Sequence, residues 1–206
     1  MFIADLADVD AIPSLVERIT GSFGLPDVLV NNAGVPKRRQ VAALTMDDVE
    51  SVMRMNYFSP VALTLAVLPG MRERGSGHVV NISSMGAHMV SFGVGAYAAT
   101  KGALEYFTEA MYLELRGTGV HAHVVVPGST RSEFSTPKEG NDPPFPTDPA
   151  TRVGPEVVAD AIVACLSDHR FITYATEREQ ATSAARNADP NTFLASMGER
   201  LAALGR

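Results

Sequence analysis

The stretch HVVNI at residues 78–82 decides the fold, because β-branched residues dominate it and turn residues bound it, as in a buried strand. The runs VLV at residues 28–30 and VHAHVVV at residues 120–126 have the same character. Between the runs lie longer amphipathic segments with helical spacing, at residues 9–23, 45–74 and 96–116. This alternation is typical of βαβ units. The sequence therefore predicts an α/β fold with a parallel sheet.

The second half of the chain combines a long connection with further helix. Residues 127–149 contain six of the 13 prolines, which favours a loop, and we expect the segment 127–152 to form a substrate lid. After it the sequence predicts a helix from Gly154, a short strand at residues 171–174 and a helical tail to Arg206. Pro60 and Pro69 should kink or end the helix that contains them, because proline lacks an amide donor.

Composition indicates one folded domain. With 206 residues, 46% hydrophobic and 19% charged, the chain has enough apolar material for a core, so we expect a single domain over residues 1–206. A formal net charge of −6 has the wrong sign for neutralising phosphates, which argues against a nucleic-acid partner. No run of about 18 apolar residues is present, so we expect no membrane span and a cytoplasmic protein.

Metal ligands are sparse in the sequence. The single cysteine, Cys165, excludes an intrachain disulfide and a cysteine-based zinc site, and its expected role is that of a small buried hydrophobe. His121 and His123 lie two residues apart, but no third ligand stands near them in the sequence. We therefore expect no metal site.

The spacing between Tyr97 and Lys101 is the most informative one for chemistry. A separation of four residues places the phenol and the ammonium on one helix face, where the cation would favour the phenolate and lower the pKa of Tyr97. A phenol activated in this way can give or take a proton near neutral pH. Taken alone, the YxxxK pattern also arises by chance, as a solvated lysine beside a half-buried tyrosine.

Three further signals accompany this pair. Ser84 lies thirteen residues before Tyr97 and closes the run NISS at a predicted strand end, the edge at which α/β sheets bind ligands. The motifs NNAG at residues 31–34 and PG at residues 127–128 follow the other two strands. With Asn56 in a predicted helix, these residues occur in the order and at the spacings of the short-chain dehydrogenase/reductase family, which the chain resembles.

The resemblance implies a doubly wound, Rossmann-like sheet with a catalytic set made of Asn56, Ser84, Tyr97 and Lys101. Tyr97 would be the general acid or base, Lys101 would lower its pKa and bind the nicotinamide ribose, and Ser84 would hydrogen-bond the substrate oxygen. Asn56 would anchor a water that connects Lys101 to solvent. We interpret Ser83 as structural, because the spacing to Tyr97 selects Ser84.

The same resemblance implies a nicotinamide cofactor, NAD or NADP, and an alcohol, ketone or aldehyde as substrate. Besides the catalytic tyrosine and lysine, it assigns cofactor binding to Asp5, Leu6, Asn32, Ala33, Gly34, Pro127, Gly128 and Thr130. Family members usually assemble through the helices that correspond to residues 45–74 and 96–116, so we expect a homodimer or homotetramer. Phe134 and Phe145 in the predicted lid suggest an apolar pocket.

One part of the family pattern is missing from this sequence. Family members begin with a strand, a Gly-rich TGxxxGxG turn, a helix and a second strand, whereas here the chain starts at what resembles the end of the third strand. The resemblance therefore implies an N-terminally incomplete fold, with residues 2–4 as an unpartnered remnant and weakened pyrophosphate binding. Met1 is then either an internal methionine of a longer chain or the start of a true truncation. The alternative to an oxidoreductase is a non-catalytic scaffold or interaction protein that holds no dinucleotide.

Overall fold

Four parallel strands form the central sheet of the computed structural model, which describes residues 1–143 and 149–203. They are β1 (Val28–Asn31), β2 (Gly77–Ile82), β3 (Val120–Val126) and β4 (Ile172–Tyr174), in the order β1-β2-β3-β4. Each neighbouring pair is parallel, with Val79 opposite Ala122 and Val124 opposite Ile172. The predicted α/β fold is therefore confirmed, and each of the four predicted strands is present.

Helices connect the strands and pack on both faces of the sheet. Their bounds are α1 (Ile12–Phe23), α2 (Met46–Met53), α3 (Ser59–Arg74), α4 (Met85–His88), α5 (Gly95–Glu114), α6 (Pro155–Asp168), α7 (Glu177–Ala188) and α8 (Pro190–Ala203). In the segment 127–152, the described part is loop apart from short 3-10 turns at Glu133–Ser135 and Pro149–Thr151, and Phe145 lies outside the described residues. Within residues 1–143 and 149–203, no helix is both long and apolar enough to cross a lipid bilayer.

A π-helical turn, Arg54–Phe58, interrupts the helix predicted over residues 45–74 and separates α2 from α3. At the start of α2, Thr45 and Asp48 form a capping box, in which each side chain accepts a hydrogen bond from the other residue's backbone amide. Single π-helical turns inside α-helices are frequent at functional sites. This one carries Asn56.

The two prolines of this region act differently. Pro60 lies in the first turn of α3 directly after the π-helical turn, so its missing amide falls where the backbone hydrogen-bond pattern changes from π to α. Pro69 lies inside α3, which nevertheless continues to its end at residue 74, so the predicted early end at Pro69 is wrong. Pro69 and Leu65, one turn earlier, are both exposed, so water can hydrogen-bond the carbonyl that Pro69 leaves without an amide donor.

Side chains along the strands alternate between two apolar layers. On one face Val79 packs with Met71 and other apolar residues of α1, α3 and α5. On the opposite face Val80 and Val125 pack against α6, which contributes Cys165. Cys165 is 1% exposed, and burial raises the pKa of its thiol to about 11, so its predicted role as a buried hydrophobe is confirmed.

The strand β1 forms one edge of the sheet, and in the described chain it pairs with β2 alone. Val28 and Val30 are 36% and 39% exposed on this strand. The structure assigns no strand to residues 1–5, and Phe2 instead lies edge-on against Phe23, with ring centroids 6.1 Å apart. In the described chain β1 is therefore an edge strand with two partly exposed valines, and residues 2–4, which the resemblance implies to be an unpartnered remnant, form no strand.

Candidate active site

Ser84, Tyr97 and Lys101 all lie near the carboxyl end of β2. Ser84 follows the strand and caps α4, where its Oγ accepts a hydrogen bond from the Gly86 amide at 3.0 Å. Its hydroxyl also hydrogen-bonds the Tyr97 phenol. A Cβ at Gly86 would lie 3.3 Å from both Ser84 Oγ and Tyr97 Cε1, so a glycine at this position lets the serine and the tyrosine ring approach each other.

The surroundings of Tyr97 shift its pKa in the opposite direction to the one that the sequence predicts. Burial raises the pKa of Tyr97 above its ordinary value of 10.0, because the phenolate loses its hydration, and the hydrogen bond with Ser84 lowers it by less. The Lys101 ammonium donates instead to the Ile82 carbonyl, at 2.8 Å. The predicted lowering by Lys101 is therefore wrong for this structure, and Ser84 is the group that favours the phenolate.

Lys101 is a buried cation, with 4% of its surface exposed. Burial lowers the pKa of Lys101 to about 8, and the negative charge of Glu105, one helical turn further along α5, acts in the opposite direction. The turn after β1 is also near, since a Cβ at Gly34 would lie 3.7 Å from Lys101 Nζ. Lys101 thus lies where α5, the end of β2 and the NNAG turn meet.

Asn56 fastens the turn after β1 to the helices and is 1% exposed. Its Oδ1 accepts a hydrogen bond from the Val35 amide at 2.8 Å, and its Nδ2 donates to the Val35 carbonyl at 2.9 Å and to Thr100 Oγ1 at 3.3 Å. A Cβ at Gly34 would lie 3.2 Å from Asn56 Oδ1, so the absence of a side chain at Gly34 allows Asn56 to pack closely against the turn. The structure places Asn56 beside the NNAG motif, and its role in holding a water stays a prediction.

Five of the predicted cofactor-binding residues belong to the N-terminal part of the chain. Asn32 and Ala33 follow β1 directly and are exposed, and Gly34 is half-buried. Asp5 is exposed and its carboxylate accepts a hydrogen bond from the amide two residues later, at 2.9 Å, while Leu6 is half-buried. The NNAG residues therefore present backbone and side-chain groups at the carboxyl edge of the sheet.

The turn after β3 carries the remaining three predicted cofactor-binding residues. The Pro127 carbonyl accepts a hydrogen bond from the Met85 amide at 2.9 Å, and Thr130 Oγ1 donates to the Gly128 carbonyl at 3.3 Å. A Cβ at Gly128 would collide with the carboxylate of Glu179, a residue of α7 that is 3% exposed. A side chain at this position would therefore force the Glu179 carboxylate to move. Glu179 is a neighbour of this turn that the sequence analysis missed, because no local spacing connects the two residues.

Arg38 joins the segment 127–152 to the loop after β1 and is a second residue that the sequence analysis missed. Its guanidinium, in a residue only 8% exposed, donates to the backbone carbonyls of Phe134, Thr136 and Asp142 at 3.5, 3.3 and 3.1 Å. Burial lowers the pKa of Arg38. The ring centroid of Phe134 lies 5.5 Å from that of Tyr97. The segment thus reaches the tyrosine, and Arg38 ties it in that position.

A separate cluster of rings lies towards the amino ends of the strands. The rings of His78, His121, His123 and His169 stack with centroid separations between 4.2 and 6.3 Å. Burial is the largest cause that lowers the pKa of His78, His121 and His123, and repulsion between protonated rings lowers each pKa further. The hydrogen bond of His123 to the Arg170 carbonyl acts in the opposite direction on the pKa of His123. In the part of the chain that the structure describes, no three His, Cys, Asp or Glu side chains are arranged to hold a metal ion. His78 Nδ1 lies 3.1 Å from His123 Nε2, and His123 Nδ1 lies 2.8 Å from the Arg170 carbonyl, so hydrogen bonds occupy these ring nitrogens.

Comparison with known proteins gives one family. A family model described as short chain dehydrogenase matches residues 1–142. Dehydrogenase/reductase SDR family member 7B of Rattus norvegicus is 39% identical over 131 residues, which cover 64% of this chain and 40% of the relative. The chain spans less than half the length of the curated relatives it matches.

Solved structures share the fold over most of the chain. A short-chain dehydrogenase from Streptomyces avermitilis superposes with a TM-score of 0.78 at 27% identity, covering 98% of this chain and 80% of that one. A short-chain dehydrogenase from Sphingobium yanoikuyae, solved in complex with NADPH, superposes with a TM-score of 0.72 at 26% identity, covering 90% and 72% of the two chains. The similarity therefore includes the parallel sheet and the helices that carry the candidate site.

Proposed function

Because the chain belongs to the short-chain dehydrogenase/reductase family, we propose that it transfers hydride between NAD or NADP and an alcohol, with a ketone or aldehyde as the oxidised substrate. The observation that carries the proposal is the contact between Ser84 and Tyr97, one helical turn from the buried Lys101, at the carboxyl end of a parallel sheet. The NADPH complex of the Sphingobium yanoikuyae protein supports a nicotinamide cofactor.

In this proposal Tyr97 and Ser84 act on the substrate oxygen. Tyr97 gives a proton to that oxygen or takes one from it, and Ser84 hydrogen-bonds it and stabilises the charge that develops there. The nicotinamide, when bound, supplies or takes up the hydride. The raised pKa of Tyr97 keeps the phenol protonated at neutral pH, which is the form that carbonyl reduction needs.

The NNAG turn and Lys101 fit the ribose side of such a cofactor. Asn32 and Ala33 are exposed at the strand end, and Gly34 leaves free a space that a Cβ would fill against Asn56 and Lys101. Lys101 can offer ammonium hydrogens to ribose hydroxyls. The remaining contacts in the proposal are Asp5 and Leu6 with the adenine, and Pro127, Gly128 and Thr130 with the nicotinamide amide.

The proposal also includes a lid and a second subunit. The segment 127–152 would cover the substrate, with Phe134 as an apolar wall beside Tyr97. Leu65 on α3 is 58% exposed, and Tyr106 and Leu113 on α5 are 76% and 61% exposed, which supports a homodimer or homotetramer through these two helices. Light scattering after size-exclusion chromatography measures the mass of the assembly, and the mass of a monomer at every protein concentration would contradict the proposed homodimer or homotetramer.

Cofactor binding tests the proposal as a whole. Saturation-transfer NMR detects weak complexes, and we expect it to show contact between this chain and NAD or NADP. Lys101→Met should abolish the signal, because it removes the proposed ribose donor, whereas Lys138→Met, in the exposed part of the loop, should retain it. Absence of transfer from both dinucleotides, or transfer that is insensitive to Lys101, would contradict the proposal and favour a non-catalytic scaffold.

A further inference from the structure

Glu105 lies at the centre of a side-chain network behind the catalytic candidates. Its Oε1 accepts a hydrogen bond from Ser83 Oγ and lies 2.9 Å from His88 Nε2. The Glu105 side chain is 19% exposed and that of His88 is 12% exposed, so both are largely shielded from solvent. Ser83 is 3% exposed, and its interpretation as a structural residue is consistent with these contacts.

These contacts hold both ends of the short segment that carries Ser84. Ser83 is the residue before Ser84, and His88 is the last residue of α4, which Ser84 caps. From the same helix as Glu105, Lys101 donates to the Ile82 carbonyl, so α5 fastens two consecutive residues at the end of β2. The position of Ser84 is therefore fixed from both sides by groups that meet on α5.

The network continues from His88 to the C-terminal helices. His88 Nδ1 lies 2.9 Å from Ser183 Oγ on α7, and the Tyr174 hydroxyl donates to Ser183 Oγ at 3.0 Å. Ser183 is 2% exposed, which excludes it as a nucleophile for an outside substrate. When the Ser183 hydroxyl donates a hydrogen bond to His88 Nδ1, the proton of the neutral ring is on Nε2, and this N–H donates a hydrogen bond to Glu105. The chain of contacts thus orients the imidazole towards the carboxylate.

We propose that Glu105 is a positioning residue of this site, which fixes Ser84 through Ser83 and His88 and places a negative charge beside the Lys101 ammonium. The inference rests on the proposed function for its catalytic meaning. It concerns Glu105, His88 and Ser183, none of which touches the reacting atoms in that proposal.

The electrostatic part follows from the surroundings of Lys101. Tyr97 and Glu105 face it along α5, Gly34 and Asn56 approach it from the other elements, and His88 is the next titratable group beyond Glu105. Within the described residues, Glu105 is the charged side chain that acts on the ammonium, and it opposes the lowering of the Lys101 pKa by burial. Loss of the carboxylate charge should therefore leave less ammonium at neutral pH.

Direct titration of Lys101 tests this without any cofactor or substrate. The chain contains three lysines, so a protein labelled with ¹³C and ¹⁵N in lysine gives three side-chain signals, and Lys101→Met identifies the relevant one. In Glu105→Gln the amide can still contact Ser83 and His88, but the charge is lost, and we expect the Lys101 midpoint to move to lower pH. Glu109→Gln, on the exposed side of the same helix, is the matched control and should leave the midpoint in place.

Two further variants separate charge from position. Glu105→Asp retains the charge and should leave the Lys101 midpoint closer to that of the parent than Glu105→Gln does. Glu105→Ala removes every contact and should shift the Gly86 amide signal, because this amide donates to Ser84 Oγ, whereas Glu105→Gln should leave that signal near the parent position. Equal Lys101 midpoints in the parent and Glu105→Gln, or an unmoved Gly86 amide in Glu105→Ala, would overturn the inference. Either result is independent of whether the chain binds NAD or NADP.

Discussion

Buried polar side chains are arranged differently at the two ends of the parallel strands. At the carboxyl end Asn31 Nδ2 donates to Asn81 Oδ1 at 2.7 Å, and Asn81 Nδ2 donates to Thr108 Oγ1 at 2.8 Å, so neighbouring elements are joined by directed hydrogen bonds. At the amino end, four histidine rings stack on one another, His123 is completely buried, and the ring hydrogen bonds join His78 to His123 at 3.1 Å and His123 to the Arg170 carbonyl at 2.8 Å. The first arrangement contains a buried cation, Lys101, whereas the second disfavours positive charge.

The difference follows from what each kind of group needs. Amide and hydroxyl groups satisfy one another with no net charge, and the ammonium beside them has a carbonyl acceptor and a carboxylate within one helical turn. Imidazoles that stack without a carboxylate can be buried in the neutral form, but a proton on one ring faces the protons on the next. The carboxyl end is therefore suited to chemistry that moves protons, and the amino end responds to acid.

Breaking the amide network at the carboxyl end should have the larger effect on stability. Asn81→Ala removes one acceptor of Asn31 Nδ2 and the donor to Thr108, in a place where Asn31 Oδ1 already has no hydrogen-bond partner. Asn31 Nδ2 keeps Thr64 Oγ1 as an acceptor at 3.2 Å and Thr108 Oγ1 still donates to the Leu104 carbonyl, so the substitution removes two hydrogen bonds without leaving these groups unpaired. At about 0.5–1.5 kcal/mol for each hydrogen bond, we expect a loss of about 1–3 kcal/mol in the free energy of unfolding. Urea denaturation measures it, with the exposed Asn187→Ala as the control. A loss no larger than the control's would show that the network does not stabilise the fold.

A smaller effect is expected from protonation at the amino end. The pKa values of His78, His121 and His123 in the folded chain lie below the ordinary value of 6.5, so the unfolded chain binds more protons as the pH falls through that value. The free energy of unfolding should therefore be highest above pH 6.5 and should decrease as the pH falls from there through the lowered values.

Urea denaturation at a series of pH values measures this decrease in the free energy of unfolding. The variant His121→Gln tests whether the stacked rings cause it. Removing one of the stacked rings leaves fewer repulsive contacts, so the variant should lose less stability than the parent over the same pH interval. Identical pH dependence in the two proteins would mean that the stacked rings are not responsible for the acid sensitivity.

The sequence predicts the parts of this molecule that depend on local patterns. The runs of β-branched residues predict all four strands, and the helical spacing of Tyr97 and Lys101 predicts that both lie on one helix, as they do on α5. The separation of thirteen positions from Ser84 to Tyr97 corresponds to a contact between the two side chains. These features need no information beyond period and spacing.

Features that depend on contacts between distant segments could not be predicted. Cross-strand register brings His78 beside His121, and the end of α6 adds His169, so the pair of histidines visible in the sequence becomes a cluster of four. The direction of the Tyr97 pKa depends on how deeply the fold buries the phenol, which a spacing of four residues does not specify. Arg38 likewise finds its acceptors in a segment about a hundred residues away.

The central claim, that the carboxyl end moves a proton through Tyr97, is tested most directly by turnover of Tyr97→Phe. The substitution removes one hydroxyl and keeps the ring, and Tyr106→Phe removes the same group from an exposed tyrosine on the same helix. With saturating NAD or NADP and a carbonyl compound that the parent reduces, turnover in Tyr97→Phe should fall by about 10²-fold or more, the range of general acid–base catalysis, while Tyr106→Phe stays at the parent rate. Equal turnover in the two variants would contradict the claim.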